Sequence, residues 1–210
     1  MILAESEQIR IQAAEIIQSG GVIAFRTDTF YGLGVDPFNR QAISRIRALK
    51  GREEAKPILV LIADASVVDR FVVERSALFV RACERHWPGP LTLVARARAE
   101  LPSDLTAGTG TIGIRLPDDN CVRELIRVCG GALTATSANA SGLAPSRTPA
   151  EVESFFPGGI DLIIDGGEVT VTEASTVLDL SGPEPQLIRA GAVTMEELQA
   201  TITTPNRKLT

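Results

Sequence analysis

The sequence predicts a mixed α/β domain: a twisted sheet with helices on its faces. Two observations lead there. Short apolar runs of strand length alternate with longer segments that carry apolar residues at helical spacing. The alternation is uneven, since several predicted strands follow one another with no helix between them, unlike a regular doubly wound sheet. The 18 glycines and 12 prolines, many in short punctuating segments, agree with a loop-rich α/β domain rather than a helical bundle.

The elements read in order as follows. Residues 6–19 form a helix that Ser6 can cap, with Ile9, Ala13, Ile16 and Ile17 as its apolar stripe and Gly20-Gly21 as its stop. VIAF, 22–25, is a buried strand, and a polar segment begins directly after it at Arg26. Asn39 can cap a helix over 40–49, which puts Lys50 at the helix end, where a cation suits the dipole. PILVLIA, 57–63, is a second buried strand, Ser76 to about Arg85 a helix, Pro88-Gly89-Pro90 a hard turn, and LTLVARA, 91–97, a returning strand. TIGIRLP, 111–117, is a short strand carrying Arg115, and 119–129 a helix stopped by Gly130-Gly131. ALTATSA, 132–138, is one strand leading into Asn139. Thr148 with Glu151, and Thr194 with Glu197, have capping-box spacing. DLIID (161–165), STVLDL (175–180) and QLIRA (186–190) are the last strands, and 203–210 reads as a flexible C-terminal tail after a domain over 1–202.

Composition narrows the function. A chain of 210 residues can bury one sizeable core. Its net charge of −5 makes it no general trap for nucleic acid. Cys83, Cys121 and Cys129 form no C-x-x-C pair and His86 is the lone histidine, so the spacing does not support a four-ligand Cys/His zinc site, and reduced thiols in a cytoplasmic protein are expected. The longest apolar runs are too short to cross a bilayer.

Three polar clusters stand out: RTDTFYGLG at 26–34, KGR at 50–52 and TSANASG at 136–142. Together they supply cations, hydroxyls and an amide, the equipment of a pocket for a phosphorylated nucleotide and a small polar partner. Other signals mislead. GTGTIG, 108–113, matches G-x-G-x-x-G, but polar residues precede it and a strand follows it, so it reads as a loop before Arg115. There is no Walker A segment, and Ser137 lacks a G-x-S-x-G elbow. The positive stretch from Arg45 to Lys56 lacks the interleaved aromatics of a single-strand binder.

In order along the chain, RTDTFYGLG after an apolar strand, K-x-R at Lys50 and Arg52 with Lys56-Pro57 behind it, WPGPLT (87–92), IGIRLPDD (112–119), S-x-N at Ser137 and Asn139, STVLDL and IRAGA (188–192) resemble the YrdC-like family, the threonylcarbamoyl-adenylate synthases of tRNA modification. The resemblance covers about residues 9–198 and fits the short, single-domain form. It implies a YrdC-like α/β fold, a twisted, mostly parallel mixed sheet flanked by helices around a cationic cavity. It also implies a nucleotidyltransferase that carboxylates L-threonine with bicarbonate or CO2 and lets the carbamate attack the α-phosphorus of ATP. Threonylcarbamoyl-AMP and pyrophosphate are the implied products, and the threonylcarbamoyl group then passes through tRNA-modifying transferase proteins to adenosine 37 of tRNA.

Under that resemblance Lys50 and Arg52 are the catalytic cations at the phosphates. Ser137, Asn139, Ser141 and Arg189 join them at the nucleotide. Arg115 pairs with threonine's carboxylate, and Thr27, Thr29, Tyr31 and Ser175 line the threonine and carbamate side. Asp28 braces its loop. Mg²⁺ is held by phosphates and water, with no protein metal ligand. No membrane association is implied, RNA binding is at most weak, and a monomer or homodimer is expected. The sequence departs from the family at Arg26 and Ala190, where proline is usual, and at Leu61, where longer relatives carry a histidine. The competing readings are carbamoyl-adenylate chemistry on another acceptor and an RNA-binding or ribosome-associated protein.

Overall fold

The computed structural model describes residues 1–51, 56–140, 142–171 and 173–203. The chain opens with β1 (Ile2–Ala4) and α1 (Glu7–Gln18), whose N-cap Ser6 accepts the Ile9 N–H at 3.3 Å. Gly20, at φ +82°, takes the left-handed turn that ends this helix. β2 (Ile23–Arg26) and β3 (Tyr31–Gly34) pair as an antiparallel hairpin, and Asn39 caps α2 (Arg40–Lys50). Next come β4 (Val60–Ile62), a 3-10 turn at Ala65–Arg70, α3 (Ala77–His86), β5 (Leu91–Arg96), α4 (Ser103–Thr106), β6 (Thr111–Arg115) and α5 (Asn120–Val128). β7 (Ala132–Thr134), β8 (Thr136–Ser137), α6 (Pro149–Phe155), β9 (Leu162–Asp165), β10 (Thr176–Asp179), β11 (Gln186–Arg189) and α7 (Met195–Thr203) complete the order.

The mixed α/β class holds, but the strands form two mixed sheets instead of one mostly parallel sheet. The first runs β1-β9-β2-β3-β8 and the second β11-β10-β5-β6-β4-β7. Parallel pairings join β1 to β9, β2 to β9, β4 to β6 and β5 to β10, and the remaining five strand pairs are antiparallel. ALTATSA is not one strand. β7 pairs with β4 in the six-stranded sheet, and two residues later β8 pairs with β3 in the other. Side-chain and backbone bonds make that crossing: Thr134 Oγ1 accepts the Val35 N–H at 2.9 Å, and the Thr134 N–H donates to the Val35 carbonyl at 3.0 Å.

Four further differences concern single elements. Tyr31–Gly34, read from the sequence only as part of a polar segment, is a buried strand, and Gly34 leaves the room that the Phe25 ring occupies across the hairpin. Only Val60–Ile62 of the 57–63 run pairs as a strand. Beside Thr148, the Glu151 carboxylate accepts from the Arg147 N–H rather than closing a reciprocal box, whereas Thr194 and Glu197 close theirs in both directions. Thr203 ends α7 instead of beginning the expected tail, and residues 204–210 lie outside the described ones.

Strand alternation divides the core. Val60 and Ile62 join the larger cluster with Leu33, Ile43, Phe71, Phe79, Leu91, Leu93, Ile112 and Ile114. Leu61 faces the other way, to the smaller cluster under α1 and α5 with Ile17, Phe25, Leu125 and Leu133.

Candidate active site

One face of the six-stranded sheet carries the larger cluster; on the other, Leu61 and Leu133 pack into the smaller cluster, and β10, β5 and β6 make the floor of a cavity of about 680 Å³. Floor residues alternate with core residues along each strand: Thr92 and Val94 on β5, Thr111, Gly113 and Arg115 on β6, Val177 and Asp179 on β10. Register aligns them across strands. Arg189 pairs with Val177, Val177 with Thr92, and the β5–β6 ladder continued by one residue sets Thr92 opposite Arg115. The two arginines thus end one row across four strands, with Cα atoms about 14 Å apart at ordinary strand spacing. Gly113 on the next row keeps the floor low. A Cβ there would meet Thr92 Cγ2 at 3.4 Å and Val94 Cγ2 at 3.7 Å.

The β2–β3 turn forms one wall. Thr27 Oγ1 donates to the Phe30 carbonyl at 2.7 Å and accepts from the N–H groups of Thr29 and Phe30 at 3.1 and 3.2 Å. This turn sends Asp28 behind the wall, where its Oδ1 accepts from Arg115 Nη1 at 2.8 Å. Thr29 Oγ1 lies 3.4 Å from Arg115 Nη2. Arg115 is only 2% exposed, and its Nε has no partner among the described residues. Burial pulls the Arg115 pKa below the ordinary guanidinium value, Asp28 opposes that pull, and the Arg189 charge adds to it. Arg189 is also lowered by burial. Its guanidinium donates to the Ser175 carbonyl from Nε at 3.0 Å and from Nη2 at 2.8 Å, and Nη2 also reaches Ser175 Oγ at 2.9 Å. Ser175 Oγ lies 3.0 Å from Thr92 Oγ1, which ties the residues of the row together.

Three expected site residues bond to the protein's own backbone. Lys50 is buried at the end of α2, and its Nζ donates to the carbonyls of Ser137 and Asn139, both at 2.8 Å. It clamps the 137–139 segment and lines a smaller pocket of about 280 Å³ that shares Lys56, Pro57, Ile58 and Thr136 with the lining of the cavity. The Asn139 amide turns into its own loop, donating to the carbonyls of Ala140 and Leu143. Tyr31 packs its ring in the core. Its hydroxyl donates to the Gly167 carbonyl at 2.8 Å and accepts the Gly166 N–H at 3.2 Å, so it braces the 166–167 segment while the residue also borders the cavity. Burial pushes its pKa up to about 12. Arg26 pairs with Asp119 at 2.9 Å, and Leu61 lies in the core cluster under α5, so neither is on the described cavity lining.

Of the expected site residues, Thr27, Thr29, Tyr31, Arg115, Ser137, Ser175 and Arg189 line the cavity. Arg52 and Ser141 lie outside the described residues. Residues the sequence reading passed over are Thr92, Gly113 and Asp179, all on the floor. The strand alternation through Arg115 already marks Gly113 as its neighbour on the same face. Lys56 adds a third cation to the lining. Among the described residues no three His, Cys, Asp or Glu side chains gather as a metal cage. Asp179 is the one carboxylate on the described lining, so these residues fit a cation carried in by phosphates and not one held by protein alone.

Residues 15–191 match the family model Sua5_yciO_yrdC, described as telomere recombination. The chain is 38% identical over 199 residues to the threonylcarbamoyl-AMP synthase of Pyrococcus abyssi, covering 94% of this chain and 58% of that protein. It therefore spans less than two thirds of that relative's length. The crystal structure of P. abyssi Sua5 complexed with L-threonine superposes with a TM-score of 0.92 at 33% identity, over 97% of this chain and 61% of that one. Escherichia coli YciO superposes at 0.84 with 25% identity, over 94% of this chain and 98% of its own length.

Proposed function

Because the chain belongs to the Sua5/YciO/YrdC family, we propose that it joins L-threonine, bicarbonate or CO2, and ATP into threonylcarbamoyl-AMP and pyrophosphate. The observation that carries this reading is the row of the cavity floor with an arginine at each end, Arg115 and Arg189. An amino acid carboxylate at one end and nucleotide phosphates at the other, with the reacting atoms between them, suit that row.

Threonine's carboxylate accepts from the remaining Arg115 donors, a charge-assisted pair in a site almost closed to water. Thr29 and the Thr27 turn flank it. The amine attacks bicarbonate carbon, losing water to give the carbamate. A carbamate oxygen then bonds to the α-phosphorus, the bond to the bridging oxygen breaks, and pyrophosphate leaves with that electron pair. The task for the protein is alignment and charge stabilisation, and no side chain need form a covalent bond. Arg189 offsets charge on the departing phosphates, and Lys50 holds Ser137 and Asn139 so that Ser137 serves the nucleotide; Arg52 and Ser141, outside the described residues, take the nucleotide roles that the family resemblance implies. Mg²⁺, where phosphates carry it in, supplies further charge neutralisation. The adenylate then serves tRNA-modifying transferases that move the threonylcarbamoyl group to tRNA.

The test is pyrophosphate release from ATP and bicarbonate with L-threonine, with serine, and with no amino acid. The proposal requires threonine-dependent release that Arg115→Ala abolishes at ordinary threonine concentrations. Release with another amine but not threonine keeps the chemistry and overturns the substrate. No release from folded protein overturns the proposal.

A further inference from the structure

We propose that Asp28 is a positioning and specificity-determining residue, which reserves Arg115 for a singly charged carboxylate and keeps phosphates at the Arg189 end of the cavity. The inference rests on the synthase reading above.

The two arginines that end the row are held in opposite ways. Arg189 donates only to neutral acceptors, the Ser175 carbonyl and hydroxyl, and forms no ion pair among the described residues. Arg115 carries a carboxylate directly behind it, 2.8 Å from Nη1. That carboxylate is fixed at both oxygens, Oδ1 by Arg115 and Oδ2 by the Asp118 N–H at 3.3 Å. The pair is shielded from solvent, with side-chain exposures of 2% and 12%, so the charges act on each other and on a ligand with little screening.

The result is an end of the cavity that is rich in donors but nearly neutral. Arg115 keeps donor capacity beyond Asp28: its buried Nε–H has no partner among the described residues, and Nη2 meets only Thr29 Oγ1, at 3.4 Å. A threonine carboxylate needs those directed hydrogen bonds and little net field. A triphosphate or pyrophosphate needs the field, and Asp28 opposes each of its several negative charges. Asp28 itself is absent from the described lining; the Thr27-centred turn puts Thr27 and Thr29 on the cavity wall and Asp28 behind it. Among the described residues the other charges that line the cavity are Lys56 and Asp179, the latter accepting from the Ser181 N–H at 2.8 Å. Neither changes when Asp28 does, so a replacement there reads the charge behind Arg115 alone.

The experiment uses inorganic tripolyphosphate as the competing anion and follows adenylate formation at varied threonine and varied ATP. In the unaltered protein tripolyphosphate competes with ATP and not with threonine. Asp28→Asn removes the charge at nearly constant shape, and tripolyphosphate then competes with threonine too, with an inhibition constant lowered by at least about tenfold. Asp28→Glu, which keeps the charge, restores discrimination. A merely structural role for Asp28 would alter stability, kcat or KM but leave the inhibition pattern as it was, and that result overturns the inference. If Asp28→Asn does not fold, the unaltered protein still decides, since competition between tripolyphosphate and threonine there overturns it as well. Absence of any threonine-dependent adenylate from the unaltered protein overturns the synthase reading, and this inference with it.

Discussion

Arg115 is the residue on which binding and stability meet. Arg115→Ala is expected to raise the threonine KM about 100-fold or more and to cost about 3–5 kcal/mol, because Asp28 is left a part-buried carboxylate without its cation. Urea unfolding beside steady-state kinetics measures both. Tyr31 sets an alkaline limit instead. Burial raises its folded-state pKa from 10.0 to about 12, so the native state holds the phenolic proton more tightly than the unfolded chain does. Its contribution is complete below pH 10 and is lost between pH 10 and 12, about 2–3 kcal/mol in all. Cys83 and Cys129, raised from 9.0 to about 12 by burial, add loss in the same direction from pH 9 upward. Stability measured against pH in Tyr31→Phe should fall less steeply above pH 10 than in the unaltered protein. At this scale the sequence marked Arg115 and Arg189 well, since each ends a readable strand. The partners of Lys50 were illegible: it donates to Ser137 and Asn139, far along the chain, and only tertiary folding brings an ammonium to those carbonyls.

Elements decide how wide the cavity is. Gly113 is the low point of β6, and an added Cβ meets its neighbours at ordinary contact distances. Gly113→Val should therefore keep the fold, with Tm moved by only about 5 °C or less, while its methyls occupy the floor between Thr92 and Val94. Substrate KM values should rise about tenfold, and thermal unfolding with kinetics separates the two effects. Lys50→Met acts through an element too. Removing two charge-assisted bonds to the 137–139 segment is expected to cost about 2–4 kcal/mol and to lower turnover, a joint loss that calorimetric unfolding and product assay would detect. The helices were legible from their stripes and caps: Ser6, Asn39, Ser76, Asp119 and Thr148 all accept a backbone N–H three residues on. β1, the 3-10 turn at Ala65–Arg70 and α4 escaped because three to six residues carry too little periodicity. The apolar run 132–138 hid a change of sheet, since alternation does not reveal which partner a strand chooses.

For the whole molecule, the two sheets explain why motifs scattered from residue 27 to 189 line one cavity. β7 and β8 cross between the sheets, the β2–β3 turn closes one wall, and the last hairpin, β10–β11, brings Arg189 onto the row that Arg115 begins. Local pattern shows each strand but not that the sheet divides, because hydrophobic alternation is satisfied by either arrangement. The division of charge along the row was likewise invisible, as it depends on which arginine has a carboxylate behind it. The most direct measurement incubates the protein with ATP, L-threonine and isotopically labelled bicarbonate and weighs the adenylate formed. The account predicts a threonine-containing adenylate that carries the label, with one pyrophosphate released for each. AMP without an attached amino acid, or an adenylate that lacks the label, would contradict it.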